Sequence, residues 1–259
     1  MPFAELKDVR INYELSGPSN APAVVFSNSL GQTLAMWDEQ AAEFAKQFRV
    51  LRYDTRGHGR SSVTAGPYSI ELLAHDVLGL LDSLQLQRVH FCGLSMGGQT
   101  GMWLGLNAPQ RLQKLILCNT AAKIGNSEMW NARIHAVRTS GLSSVSDAIV
   151  GRWFSEQFRA KSGAFIAATK KMIEQSNPEG YVANCVAVGD YDVRNSLGAV
   201  QVPTLVIAGT HDAATTPEDG RYIAQQIRGA KYVELDAAHL SNIEQPQQFN
   251  EAAMNFLLS

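Results

Sequence analysis

The sequence is short of cysteine, has no excess of either charge and contains no long apolar run. Each absence excludes a class of protein. Three cysteines in 259 residues, Cys92, Cys118 and Cys185, cannot all pair, and each lies in an apolar run rather than at metal-ligand spacing. They read as buried thiols in a reducing compartment. Against 24 acidic residues there are 22 basic ones, so no positive excess exists to displace counterions from nucleic acid. No stretch reaches the ~18 apolar residues that a membrane span needs. The N-terminal segment Met1 to Asp8 has neither the basic nor the apolar region of a secretory leader. A soluble cytoplasmic protein is expected, with no nucleic-acid or membrane partner. Internal repeats, low-complexity tracts and charge blocks are also missing.

What is present is a chain 45% apolar and 18% charged, long enough to bury roughly three quarters of its surface. Short β-branched runs at Val9 to Leu15, Ala23 to Ser27, Phe48 to Tyr53, Val89 to Cys92, Leu115 to Cys118, Thr204 to Ala208 and Tyr232 to Leu235 read as strands. Helical patterns stand between them at Ala35 to Lys46, Ile70 to Leu84, Met96 to Leu106, Pro217 to Ile227 and Gln247 to Leu258. Strands apolar throughout and separated by helices imply a mostly parallel sheet covered on both faces, an α/β doubly wound fold. The alternating Val9 to Leu15 run suits an antiparallel edge. Residues 121–191 carry no strand signal, only helical patterns bounded by Gly141, Ser162, Asn177-Pro178 and Gly189. They read as a helical insertion between two core segments, 1–120 and 192–259.

Gly93-Leu94-Ser95-Met96-Gly97 follows the strand Val89 to Cys92 and opens a helix, the setting in which G-x-S-x-G forms a nucleophile elbow. The letters alone arise by chance in roughly one chain in ten of this length, so the strand-to-helix context decides. A turn this sharp presses the residues two before and two after the serine against neighbouring backbone, where only glycine avoids a clash. It also points the first helical N–H groups at the spot where an oxyanion would form. The competing reading is that Gly97, Gly101 and Gly105 let the helix pack closely, with Ser95 a simple N-cap.

A serine nucleophile needs a base, held by a third group. His239 lies four residues beyond the last strand, at the same sheet edge as Ser95, and is the candidate. His90 is inside a strand, His75 on a helix, His135 in the insertion and His58 in a loop farther toward the sheet edge. Asp212 follows the strand Thr204 to Ala208 and completes the order Ser, Asp, His. The loop after Leu115 to Cys118 offers Asn119 instead of an acid, and Asp236 is a poorer second. His211, beside Asp212, reads as a solvated neighbour. Two oxyanion donors are needed: the backbone N–H of Met96, and one from Asn28-Ser29-Leu30-Gly31, with Leu30 chosen over Ser29 and Gln32. Gly57-His58-Gly59-Arg60 mimics a dinucleotide fingerprint but lacks its third glycine, and reads as a tight loop under the site. Trp130 and Trp153 in the insertion, with Trp37 after the oxyanion loop, are either pocket lining or core.

These residues resemble the 3-oxoadipate enol-lactonases of the α/β-hydrolase superfamily, over nearly the whole chain. The likeness lies in Phe26-Ser27-Asn28-Ser29-Leu30-Gly31 with Met36-Trp37-Asp38, Leu51-Arg52-Tyr53-Asp54-Thr55-Arg56-Gly57-His58-Gly59 and Phe91-Cys92-Gly93-Leu94-Ser95-Met96-Gly97-Gly98. It continues at Cys185, Asp190-Tyr191-Asp192-Val193-Arg194 and Pro203-Thr204-Leu205-Val206-Ile207-Ala208-Gly209. The Ser-Asn-Ser-Leu-Gly loop is the particular part, because most relatives have His-Gly there; Gln32 and Gln40 depart from the pattern without touching the chemistry. The resemblance implies an α/β-hydrolase fold with an eight-stranded sheet and a helical cap, and hydrolysis of 3-oxoadipate enol-lactone in the β-ketoadipate route of aromatic breakdown, without metal or cofactor. The lactone's free carboxylate calls for a positive wall, with Arg133, Arg138 and Arg152 as candidates beside Trp130 and Trp153. A carboxylesterase, a C–C hydrolase of ring-fission products and a non-catalytic receptor on the same fold are the alternatives.

Overall fold

The computed structural model describes residues 2–259; Met1, at the head of the segment read for a leader, lies outside the described residues. Eight strands form one sheet: β1 (Phe3–Glu5), β2 (Arg10–Ser16), β3 (Ala23–Ser27), β4 (Arg49–Tyr53), β5 (Val89–Leu94), β6 (Leu112–Cys118), β7 (Thr204–Gly209) and β8 (Lys231–Leu235), in spatial order β1-β2-β4-β3-β5-β6-β7-β8. The strands from β4 to β8 in that order pair in parallel, while β2 is antiparallel to both β1 and β4. This is the α/β-hydrolase arrangement expected.

Alternation within the parallel strands divides the core in two. Phe26, Cys92, Leu94, Ile116 and Ile207 face α1 (Asp38–Phe44) and the C-terminal helix. Val25, Phe91, Leu115, Leu117 and Val206 face α2 (Ile70–Ser83), α3 (Met96–Asn107) and the helix after β7. Between β6 and β7 stand five helices, α4 (Ser127–Ser140), α5 (Ser143–Trp153), α6 (Glu156–Lys161), α7 (Gly163–Glu174) and α8 (Pro178–Asp190). Then come α9 (Pro217–Gln226), α10 (Ser241–Glu244) and α11 (Pro246–Leu258). The insertion's helix starts are chemically marked: Asn126, Ser155 and Asn177 each cap a following backbone N–H through the side chain.

Several elements differ from the pattern reading, among them β6, which starts at Leu112 rather than Leu115. β1 adds an edge strand through its register with β2, Phe3 opposite Asn12. The expected helix Ala35 to Lys46 opens instead as a 3-10 turn, Leu34–Trp37, capped by Thr33, which turns Trp37 fully into the core. Helix α8 runs one residue past Gly189, and α10 is an added single turn. Because the strands from β3 onward run parallel, the loops after β3, β4, β5, β7 and β8 all emerge at one edge of the sheet.

Candidate active site

Only Ser95 separates the end of β5 from the start of α3. Its backbone is held at φ 58° and ψ −113°, a conformation that costs a non-glycine residue about 1–3 kcal/mol. Anchors on both sides over-determine it: Ser95 N–H donates to Cys118 O at 2.9 Å, and Thr120 Oγ1 donates to Ser95 O at 2.8 Å. A Cβ on Gly93 would lie 2.1 Å from Gly97 O, and one on Gly97 would lie 2.2 Å from Ser27 O, so the flanking glycines are sterically required. The Ser95 side chain makes no capping hydrogen bond, which sets aside the N-cap reading. The close-packing reading does describe Gly101 and Gly105, where an added Cβ would meet Leu115, Phe91 and Val200 at 3.0–3.3 Å.

His239, after β8, and Asp212, after β7, are both buried and meet at 2.8 Å between Nδ1 and Oδ2. Asp212 Oδ1 also accepts the N–H groups of Ala214 (2.8 Å) and Thr215 (3.0 Å), and Oδ2 accepts Thr215 Oγ1 (2.8 Å) and Asn119 Nδ2 (3.0 Å). Burial alone would raise this carboxyl; the His239 charge and the converging hydrogen bonds outweigh it and bring it down to about 2. An ionised Asp212 fixes the proton of His239 on Nδ1 and leaves Nε2 with a lone pair. Asn119, noted in the sequence only as a missing acid, is thus a donor to the carboxylate. Its own Oδ1 is held by Ser241 Oγ at 2.6 Å. Asp236 and His211 pair with each other at 2.7 Å on the surface, 80% and 59% exposed, apart from the buried pair.

The other histidines divide sharply. His75 and His135 are exposed, and His90 is buried edge-on to Phe48. His58 is buried beside the oxyanion loop, its Nε2 accepting the Gly31 N–H at 2.8 Å, behind the residues that line the cavity. In that loop the N–H groups of Ser29, Gly31 and Gln32 are taken by Met36 Sδ, His58 and Ser29 O. The Leu30 N–H meets no acceptor among the described residues. Met96 occupies the first position of α3, where the N–H has no intrahelical partner.

Ser29, Leu30, Ser95 and His239 line a partly open cavity of about 150 Å³, together with Trp130 and Arg133 from α4, Arg152 and Trp153 from α5, and Tyr181 from α8. Arg133 stacks over the Trp130 ring at 4.7 Å. Neither Arg133 nor Arg152 has an ion-pair partner among the described residues. Burial and the like charge of Arg133 depress Arg152. Arg138 does not join them: five residues past Arg133 it is turned roughly 140° around α4 and is exposed. Trp37 is core, stacked on Phe26 at 4.8 Å with its Nε1 donating to Asn28 Oδ1. A larger open groove of about 640 Å³ shares Arg152 and Ala213 with the cavity and leads to the surface. No group of three or more His, Cys, Asp or Glu suited to a metal occurs among the described residues, and no helix among them is long and apolar enough to cross a membrane.

A family model described as the alpha/beta hydrolase fold matches residues 22–246. The chain is 44% identical over 246 residues to 3-oxoadipate enol-lactonase 2 of Acinetobacter baylyi, covering 95% of this chain and 92% of that protein. It is 41% identical over 249 residues to 3-oxoadipate enol-lactonase 1 of the same organism, covering 96% and 93%. The crystal structure of the enol-lactonase from Burkholderia xenovorans matches with a TM-score of 0.98 at 46% identity, over 100% of both chains.

Proposed function

The chain belongs to the 3-oxoadipate enol-lactonase family of the α/β-hydrolases, and from that premise we propose that it hydrolyses 3-oxoadipate enol-lactone to 3-oxoadipate, a step of the β-ketoadipate route of aromatic catabolism, through an acyl-enzyme on Ser95. His239 Nε2 takes the Ser95 proton as Oγ attacks the lactone carbonyl. The oxyanion of the tetrahedral intermediate is met by the N–H groups of Leu30 and Met96, each donor being worth about 100-fold or more in rate. Collapse breaks the ring C–O bond, and the imidazolium, steadied by Asp212, returns the proton to the departing enol oxygen. An enol is a better leaving group than an alcohol, and it stays tethered to the acyl chain. His239 then activates water, which attacks the acyl carbon and frees Ser95; the released enol becomes the ketone.

The observation that carries this reading is the joint lining of one cavity by Ser95, His239 and two arginines without ion-pair partners. Two half-buried like charges repel one another without a counter-charge, and the substrate's carboxylate, held by Arg133 and Arg152, would relieve that. The cavity is smaller than the ~300–1,000 Å³ usual for drug-sized ligands, which suits a small monocyclic acid. Helices α4 to α8, residues 121–191, act in this reading as a cap that supplies the acid-binding wall, and residues 1–120 with 192–259 as the catalytic core.

The test is turnover of the enol-lactone beside a p-nitrophenyl ester and a vinylogous diketone. The lactone is expected to be the fastest by far; if it is the slowest by orders of magnitude, the assignment is wrong. Ser95→Ala and His239→Ala should each reduce turnover by several powers of ten, to similar floors, without unfolding the chain. A fluorophosphonate should label Ser95 alone.

A further inference from the structure

His58 has no part in proton transfer, yet it is buried behind the oxyanion loop, only 4% exposed. Its Nε2 accepts from Gly31 N–H at 2.8 Å, so the ring proton must sit on Nδ1, which faces Arg56 O at 3.4 Å. Burial pushes the imidazole down to about 4, against the Arg56 carbonyl and the Asp54 carboxylate, which both raise it. The lone pair is therefore available at neutral pH. Gly31 has φ 81°, and a Cβ there would lie 3.2 Å from Tyr181 and 3.5 Å from Trp153, so the position calls for glycine. The peptide bearing the Leu30 N–H lies between two anchored positions, with Ser29 and Gln32 joined by their own turn and Gly31 tied to His58.

The same loop seats the cap. A Cβ on Gly180 of α8 would lie 2.3 Å from Gly57 O, and Asn184 Nδ2 donates to Arg56 O at 2.9 Å and to Gly180 O at 2.8 Å while lying 3.4 Å from His58 Nδ1. Arg56 is itself fixed by Asp76 and Asp8. Cap helix, β4 loop and oxyanion loop thus meet at one imidazole.

We propose that His58 is a positioning residue for the oxyanion hole, its Nε2 holding Gly31 N–H so that the adjoining Leu30 N–H is aimed at the reacting carbonyl oxygen. The inference rests on the acyl-transfer reading given above. It concerns the donor geometry common to any ester or lactone substrate, so a p-nitrophenyl ester serves as a second probe.

The experiment compares wild type, His58→Leu, His58→Gln and His58→Asn on the enol-lactone and on p-nitrophenyl acetate. Leucine removes the acceptor, glutamine carries a carbonyl oxygen able to reach Gly31, and the asparagine amide is one carbon too short. Loss of aim should lower kcat roughly 10- to 100-fold in His58→Leu with KM within about threefold, on both substrates. His58→Gln should recover most of that loss. If His58→Leu fails to fold, the contrast between glutamine and asparagine gives the same reading. An unchanged kcat, or a loss that glutamine does not repair better than asparagine, overturns the proposal while leaving the lactonase reading intact. A wild type active on the ester and inert on the lactone overturns the substrate reading and leaves His58 to be judged on the ester. Inactivity on both substrates overturns both.

Discussion

At the scale of single residues, the site depends on positions where an atom more or a charge less has no compensation. Gly97 is the sharpest case, because the atoms a Cβ would strike, Ser27 O at 2.2 Å and Ser27 C at 2.6 Å, are backbone of a central strand and cannot yield. Gly97→Ala should cost about 3 kcal/mol or more and abolish turnover. Gly105→Ala, whose nearest neighbours are the side chains of Leu115 and Val200 at 3.3 Å, should stay within about 1 kcal/mol of wild type, crowding being offset by helix propensity. Urea midpoints of the two variants check the contrast. Asp212 makes the charge case. Its carboxyl falls from 3.8 to about 2 on folding, so the unfolded chain binds more protons between those values. The stability this gives, about 2 kcal/mol, is full above pH ~4 and is lost as pH falls through about 2. Asp212→Asn should lack that slope in urea midpoints measured across the window.

At the scale of elements, the parallel strands and the nucleophile turn were legible because their signals are local: β-branched runs, flanking glycines and a helix starting at once. What escaped was set by contacts between distant segments. The edge strand β1 is three residues long and exists through its pairing with β2. The 3-10 turn at Leu34–Trp37 replaces a helix start because Trp37 must reach Phe26 and Asn28. Asn119 became a partner of Asp212, and His58 of Gly31, across 93 and 27 residues, and no spacing rule marks such pairs. Arg133 and Arg138 looked equivalent as cationic positions on α4, and only helix phase separated them. The element that no motif announced, α10, ties insertion to core. Glu244 accepts the Ser155 N–H at 2.6 Å and the Ser155 Oγ–H at 2.9 Å, while Leu240 N–H donates to Trp153 O at 3.0 Å. These bonds fix the α5–α6 junction beside the cavity wall. Glu244→Ala should therefore raise KM for the lactone by roughly tenfold, with kcat within a factor of about three, and cost about 1–2 kcal/mol. Steady-state kinetics with a melting curve decide it; a pure kcat loss would point to a different role.

At the scale of the whole molecule, two buried imidazoles, His58 and His90, set how the fold meets acid. Burial brings both His58 and His90 down to about 4, the latter helped by the charges of Lys114 and Arg88. Unfolded, each would titrate at about 6.5, so the unfolded chain takes up protons that the folded chain refuses. Stability is full above pH ~6.5 and is lost as pH falls toward 4, by about 2 kcal/mol per histidine at pH ~5. That is a large share of the ~5–15 kcal/mol that holds a typical domain together. The window lies above that of Asp212, so the acid limb should come in two steps, first the histidines and then the carboxylate. His90 can be removed without touching the site: it packs edge-on against Phe48 at 5.7 Å and its Nδ1 has no hydrogen-bond partner. His90→Leu should match wild type within about 1 kcal/mol at pH 7 and exceed it by about 2 kcal/mol at pH 5. Urea denaturation at both values measures the difference, and an equal loss in the two proteins would mean that the acid sensitivity arises elsewhere.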